Sequence, residues 1–287
     1  MIVRYLFLCF LLISLSVSAY AQQGAELGAF AGVSHYFGDL NTNYRVSDPN
    51  LAFGIVGRYN FNERIAVKLA GSIGKIEASD TDSNNTFERR RNLDFQSTIS
   101  DVSAQIEFNF LPLFHGSKDQ FFSPYLFAGL AVTRFNPQTA YCENSPSTPV
   151  EQCPGSIRIA DLRPLGTEGQ FQGEEYYTTS GALAFGAGLK VSLNYEWSIN
   201  VELSARRMFT DYLDDVSGVY PDQNDLENFR GPLAVALSDR SLPTPEQIGE
   251  TGRQRGNNQS KDALAFLTVG IVYYFGDLKC PKGSDSR

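Results

Sequence analysis

Histidine is scarce in this chain of 287 residues, with only His35 and His115 present. The four cysteines add no His/Cys grouping of the kind that holds a metal. A Ser–His–acid site would have to combine His35 with Asp39 and a serine such as Ser34. Adjacent residues of an extended strand point to opposite faces, so Ser34 and His35 cannot share one site. The sequence offers no catalytic, cofactor-binding or metal residue, and no enzyme is expected. Positive charge is also in short supply. The formal net charge of −8 argues against nucleic acid as a partner. No apolar run beyond residue 17 approaches the ~20 residues that a membrane helix needs.

What the chain does have begins with a leader. Arg4 precedes an apolar run over 5–17 and the small-residue site Ser18-Ala19-Tyr20-Ala21. This is the pattern of a secretory signal peptide, expected over 1–21 and cleaved before Gln22. Cys9 would leave with it. Arg4 is the only charged residue of that stretch, so the mature charge is −9, that is −8 less one positive charge.

Residues 263–275, ALAFLTVGIVYYF, place Ala265, Leu267, Val269, Ile271, Tyr273 and Phe275 on one face of a strand. Period-2 alternation over about ten residues, ending in aromatics, marks a strand that crosses a membrane. Such a strand must pair on both sides, because lipid offers its backbone no partner. The same alternation recurs over 26–37, 51–61, 65–76, 101–110, 125–135, 179–193 and 196–209. The expected fold is all-β: a closed antiparallel up-and-down transmembrane barrel of about eight strands, spanning 22–277. Short joints at 60–63, 111–120 and 193–196 alternate with long ones at 40–50, 79–92, 136–175 and 210–262. Outer-membrane barrels keep short turns in the periplasm and long loops outside, which would put both termini in the periplasm. Aromatics at 13% and a mean hydropathy of −0.22 suit a barrel with a polar lumen and wet loops.

Energetics decide which face meets lipid. A basic side chain at the bilayer midplane costs about 2–4 kcal/mol. Slipping the 196–209 strand by one residue would turn Glu202 and Arg206 outward and Trp197 inward. The expected lumen then holds Glu26, Arg58, Lys68, Asp101, Glu107, Lys190, Glu202 and Arg206. Four acids interleaved with four bases in a narrow core read as a paired structural network, the alternative being an ion pathway. The inward Gly28, Gly32, Gly129, Gly186 and Gly188 would make room for these side chains.

Cys142 and Cys153 share the 136–175 loop with Pro137, Pro146, Pro149 and Pro154. In an oxidising compartment they are expected to form a disulfide, worth ~3 kcal/mol in the chain-entropy model. Cys280 is left over beyond the last strand, in a tail at 278–287. An intermolecular bond and a tolerated free thiol are both open readings of it. The segment Tyr-Phe-Gly-Asp-Leu occurs at 36–40 and again at 274–278, where it reads as shared strand-end chemistry.

Thr268-x-Gly270-x-x-Tyr273-x-Phe275 resembles the carboxy-terminal signal that the barrel-assembly machinery reads. A narrower likeness lies in 26–41 (ELGAFAGVSHYFGDLN) with the closing Tyr273-Tyr274-Phe275 and Cys280-Pro281-Lys282. Together these resemble the PorG family of Bacteroidota outer-membrane barrels, which belong to type IX secretion. The resemblance implies an integral outer-membrane protein that holds a periplasmic ring of PorK and PorN type. Cys280, Pro281 and Lys282 would face that ring, with a disulfide through Cys280. The rival readings are a surface adhesin or immune-evasion barrel working through its loops, a small-solute pore, and a lipid-modifying enzyme.

Overall fold

The structure is a computed structural model; it describes residues 24–146, 148, 150–241 and 248–276. The expected leader at 1–21 and the tail at 278–287, with Cys280, Pro281 and Lys282, lie outside the described residues.

Among the described residues ten strands form one sheet: β1 (Gly24–Phe37), β2 (Asn50–Asn60), β3 (Ile65–Ser79), β4 (Asp94–Asn109), β5 (Phe122–Arg134), β6 (Pro137–Cys142), β7 (Ile157–Asp161), β8 (Thr179–Ser192), β9 (Trp197–Met208) and β10 (Ala263–Phe275). Eight of them close a ring in the order β1-β2-β3-β4-β5-β8-β9-β10, each antiparallel to its neighbours. Closure comes from β1 against β10, where Ala25 faces Phe275 and Phe37 faces Ala263. No sheet edge is left within the ring, so every backbone group there can be paired without water.

The period of 2 sorts the side chains. On β10, Leu267, Val269, Ile271 and Phe275 are exposed while Leu264, Phe266, Thr268 and Val272 are buried. Exposed Leu27, Ile55, Leu69, Ile106, Leu130, Leu183 and Leu203 continue that apolar belt around the other strands. Such an exterior, wrapped around a charged interior, is the architecture of an outer-membrane barrel. Among the described residues no helix is long and apolar enough to cross a membrane.

The two ends differ. At the end with short turns, outward aromatics gather: Tyr59 on Phe61 at 5.0 Å, Phe108 on Phe110 at 5.4 Å and Trp197 on the half-buried Tyr273 at 5.0 Å. Of these, the amphipathic Tyr59, Trp197 and Tyr273 are of the kind that settles at a membrane interface. At the other end the loops fold into a cap.

That cap corrects several boundaries. Residues 136–175, expected to be a plain loop, contain the β6–β7 hairpin, which joins the barrel sheet where Pro137 and Gln138 face Ser97 and Gln96. The sheet thus has ten strands, although eight make the barrel. Strand β4 begins at Asp94, seven residues before the expected start, because its loop-end half faces cap and solvent and needs no lipid-facing apolar residues. Residues 80–93 hold helix α1 (Thr86–Arg91), and residues 210–262 hold α2 (Gln223–Arg230) and α3 (Pro232–Ser238). Asp222 caps α2 by accepting from the amides of Asn224 and Asp225. Tyr36, Leu40, Leu93, Phe95, Phe135, Leu213, Val216 and Leu237 are all buried and join the cap to the upper barrel in one apolar core.

Candidate functional site

The barrel interior is the candidate site, and strand register builds it. The inward side chains Glu26 on β1 and Arg58 on β2 face each other directly, as do Arg58 and Lys68 across β2 and β3. Arg58 donates from Nη1 to Glu26 Oε2 at 2.5 Å and from Nη2 to Glu107 Oε1 at 3.1 Å. Lys190 donates to Glu107 Oε2 at 2.7 Å, and Lys68 Nζ stands 3.4 Å from Glu107 Oε1. Lys68 also pairs with Glu202, which accepts from Tyr125 Oη at 2.7 Å. Glu107 thus touches three cations, and its own side chain is fully buried.

A second, smaller group lies toward the cap. Arg206 Nε is 3.3 Å from Asp101 Oδ1, and Thr133 donates to Asp101 Oδ2 at 2.9 Å. Glu26, Glu107 and Glu202 balance Arg58, Lys68 and Lys190, and Asp101 balances Arg206. Each group is neutral within itself. Charges buried in a narrow lumen need such pairing, since an unanswered one would be strongly destabilising.

Two aromatic side chains complete the filling, and the alternation of β5 carries them inward. Tyr125 faces Gly188 and Phe127 faces Gly186 across the β5–β8 ladder. A Cβ on Gly188 would fall 2.5 Å from Tyr125 Cζ, and one on Gly186 would fall 2.5 Å from Phe127 Cζ. Both glycines therefore seat rings. The rings in turn hold cations, with Lys190 Nζ 4.7 Å from the Tyr125 centroid and Lys68 Nζ 4.1 Å from that of Phe127. Toward the turn end a cavity of about 20 Å³ lies beside Glu26, Lys190 and His115, and a cavity of about 40 Å³ lies between Arg58, Lys68, Asp101, Glu202 and Arg206. The larger has room for a few waters and for no solute.

Both mouths are covered. At the turn end, residues 111–121 fold across the opening and insert His115. Its ring stacks on Tyr274 at 4.3 Å, and its Nε2 lies 3.9 Å from Glu26 Oε1. The sequence places His115 on a turn but not under the lumen, because its neighbours carry no alternation to show direction. At the loop end the cap is pinned by two buried arginines. Arg91 makes a fork on Asp80, at 2.8 Å and 2.7 Å, and reaches Asp39 O at 2.8 Å and Arg255 O at 2.5 Å. Arg255 donates to Glu168 Oε1 at 3.1 Å and to Asp215 O at 2.6 Å. Burial pushes the carboxyls of Asp39 and Asp215 up to about 6. Nothing in the local sequence marks Asp80, Arg91, Glu168 and Arg255 as one structure, since their partners are up to 164 residues apart.

The remaining sequence-derived sites are placed as follows. Cys142 and Cys153 are bonded to each other and close the β6–β7 hairpin. Thr268 and Gly270 face the lumen, whereas Tyr273 and Phe275 stand on the outer surface, 4.7 Å apart. Ser34 is buried and donates to Lys75 O at 2.6 Å, while His35 lies on the outer face. These two do not meet. Among the described residues no group of His, Cys, Asp and Glu forms a metal site.

Solved structures similar to this chain include the attachment invasion locus protein Ail of Yersinia pestis, in complex with the heparin analogue sucrose octasulfate, at 11% identity and a TM-score of 0.39, covering 88% of this chain and 99% of that one. Neisserial surface protein A is similar at 11% identity and TM-score 0.40, covering 88% and 97% of the two chains. The outer membrane protein OprG of Pseudomonas aeruginosa is similar at 12% identity and TM-score 0.40, covering 90% and 97%. These likenesses concern architecture and say nothing of function. No curated protein matches the chain by sequence. A family model described as Domain of unknown function (DUF6089) matches residues 4–159, more than half of the sequence, and the chain belongs to that family.

Proposed function

We propose that this protein is a non-conducting outer-membrane anchor that holds a periplasmic secretion ring of the type IX machinery. One observation carries the reading: the lumen is filled by paired charges and covered at both mouths, so the barrel is a fixed support and not a conduit. The short turns with their aromatic belt would face the periplasm, as would the chain end beyond Phe275. The PorG-like residues 26–41 and 273–275 favour the ring as partner, with Cys280, Pro281 and Lys282 as contact residues. The carboxy-terminal Thr268, Gly270, Tyr273 and Phe275 would be read by the barrel-assembly machinery.

Non-reducing electrophoresis of outer-membrane fractions tests the contact. An adduct with a ring lipoprotein that disappears in Cys280→Ser is the expected result. Loss of type IX cargo secretion in a deletion strain is expected as well, and normal secretion there would remove the assignment.

A second reading, a surface adhesin, is favoured by the cap itself. Two buried arginines, a disulfide-closed hairpin and three helices give the loops a fixed shape suited to recognition. Replacing 210–262 by a short turn while keeping the tail separates the two: secretion should survive if the anchor reading holds.

A further inference from the structure

The loop end of the apolar belt carries two cations that no described residue answers. Arg134 ends β5 and Arg207 lies one residue from the end of β9; both are exposed on the outer face. Neither guanidinium has a hydrogen bond or ion pair among the described residues. Lys75, at the same end of β3, differs, because Glu77 holds it at 3.0 Å.

Strand β8 runs between the two arginines. Thr179 faces Arg134 and Leu183 faces Arg207. Four residues of strand and two strand spacings separate their α-carbons by about 16 Å. Between them lies the exposed ring of Phe209, whose amide donates to Gly181 O at 3.0 Å. A Cβ at Gly181 would fall 3.0 Å from that ring, so the glycine lets Phe209 lie against the sheet. The result is an apolar shelf with a free guanidinium at each side, at the level where the belt ends.

We propose that Arg134, Phe209 and Arg207 form a binding shelf for a membrane lipid whose headgroup carries more than one phosphate. Each guanidinium offers planar, bidentate donors that match phosphate oxygens. The ring covers the apolar part of the lipid, as interfacial aromatics do. The opposite end of the barrel has aromatics without such free arginines on its strands, which fits a leaflet-specific site. The cation spacing suits one large headgroup better than a single phosphodiester.

Native mass spectrometry of the full chain, folded in micelles and titrated with diphosphoryl lipid A or phosphatidylcholine, tests this. Lipid A should bind in preference to phosphatidylcholine. Each of Arg134→Gln and Arg207→Gln should lose roughly fivefold in lipid A affinity, from the worth of one arginine near an anionic surface. Phe209→Ala should weaken it further, and Lys75→Gln should leave it unchanged. Single variants that bind lipid A like the wild type, or a Lys75→Gln loss as large, would overturn the proposal. So would inorganic phosphate displacing the lipid, because the site would then be for the free anion.

Discussion

The hydroxyl of Tyr36 donates to Oδ2 of Asp214 at 2.5 Å, tying the end of the first strand to the loop between β9 and β10. The same hydroxyl lies 3.1 Å from Asp262 Oδ1. A phenol has one proton to give, so the second contact needs a proton from a carboxylic acid. Burial pushes both Asp214 and Asp262 well above the usual carboxylate range, and neighbouring carboxylates add to it. The cap is therefore held partly by protonated acids.

This gives the cap a pH dependence of unusual sign. Asp39, Asp214, Asp215 and Asp262 hold protons more tightly folded than unfolded, so protonation stabilises the fold fully below their ordinary value of 3.8. For Asp39 and Asp215 that contribution is lost as pH rises from 3.8 through about 6. Limited proteolysis of folded protein should cut the cap faster near neutral pH than in mild acid, with the barrel core resistant throughout. Equal cutting at the two pH values would remove the contribution assigned to Asp39 and Asp215.

Glu107 is the member of the lumen network with most to lose. Glu107→Ala leaves Arg58, Lys68 and Lys190 without their shared acid and should destabilise the barrel by about 3–5 kcal/mol. Urea unfolding followed by heat-modifiable gel mobility measures this. A loss below about 1 kcal/mol would mean that water or lipid headgroups reach the cluster.

At Gly188 the expected effect is steric. Gly188→Ala should cost about 1–3 kcal/mol by overpacking against Tyr125. Combining it with Tyr125→Leu should recover part of that loss, which a double-mutant cycle would detect as coupling between the two sites.

The disulfide should act locally. Its loop spans a sequence separation of 11, and Cys142→Ser with Cys153→Ser should cost ~3 kcal/mol in hairpin order. The readout is protease cutting within 143–152 while barrel mobility on gels stays unchanged. Loss of the folded-barrel band would show that the hairpin supports closure of the ring.

Planar-bilayer recording of the wild-type protein should show no steady conductance. The charges of the lumen are paired, and the cavity among them is about 40 Å³. Discrete channel openings would require the network or the His115 cover to move aside.

How much of this was legible in the sequence differed from part to part. Within the barrel, Glu26, Arg58 and Lys68 could be assigned inward because a one-residue slip would expose charge to lipid, a penalty too large for any loop contact to offset. Tyr125 and Phe127 were equally within reach, since they alternate with Leu126 and Ala128 and face Gly188 and Gly186. The cap was not. Its strands β6 and β7 are too short to carry a clear period, and Arg91 finds Asp80 and Arg255 by long-range folding that no local period announces.

The sequence by itself determined the strands, their facing and the membrane-crossing barrel, because a two-residue period against lipid leaves one solution. Only the tertiary structure decided that Glu107 would serve three cations at once and that His115 would cover the lumen. It alone built the cap and set Arg134 and Arg207 to either side of Phe209. The physical reason is that ring closure and loop packing bring together residues far apart in the chain. Their pairing depends on distances in space, which no spacing along the sequence encodes.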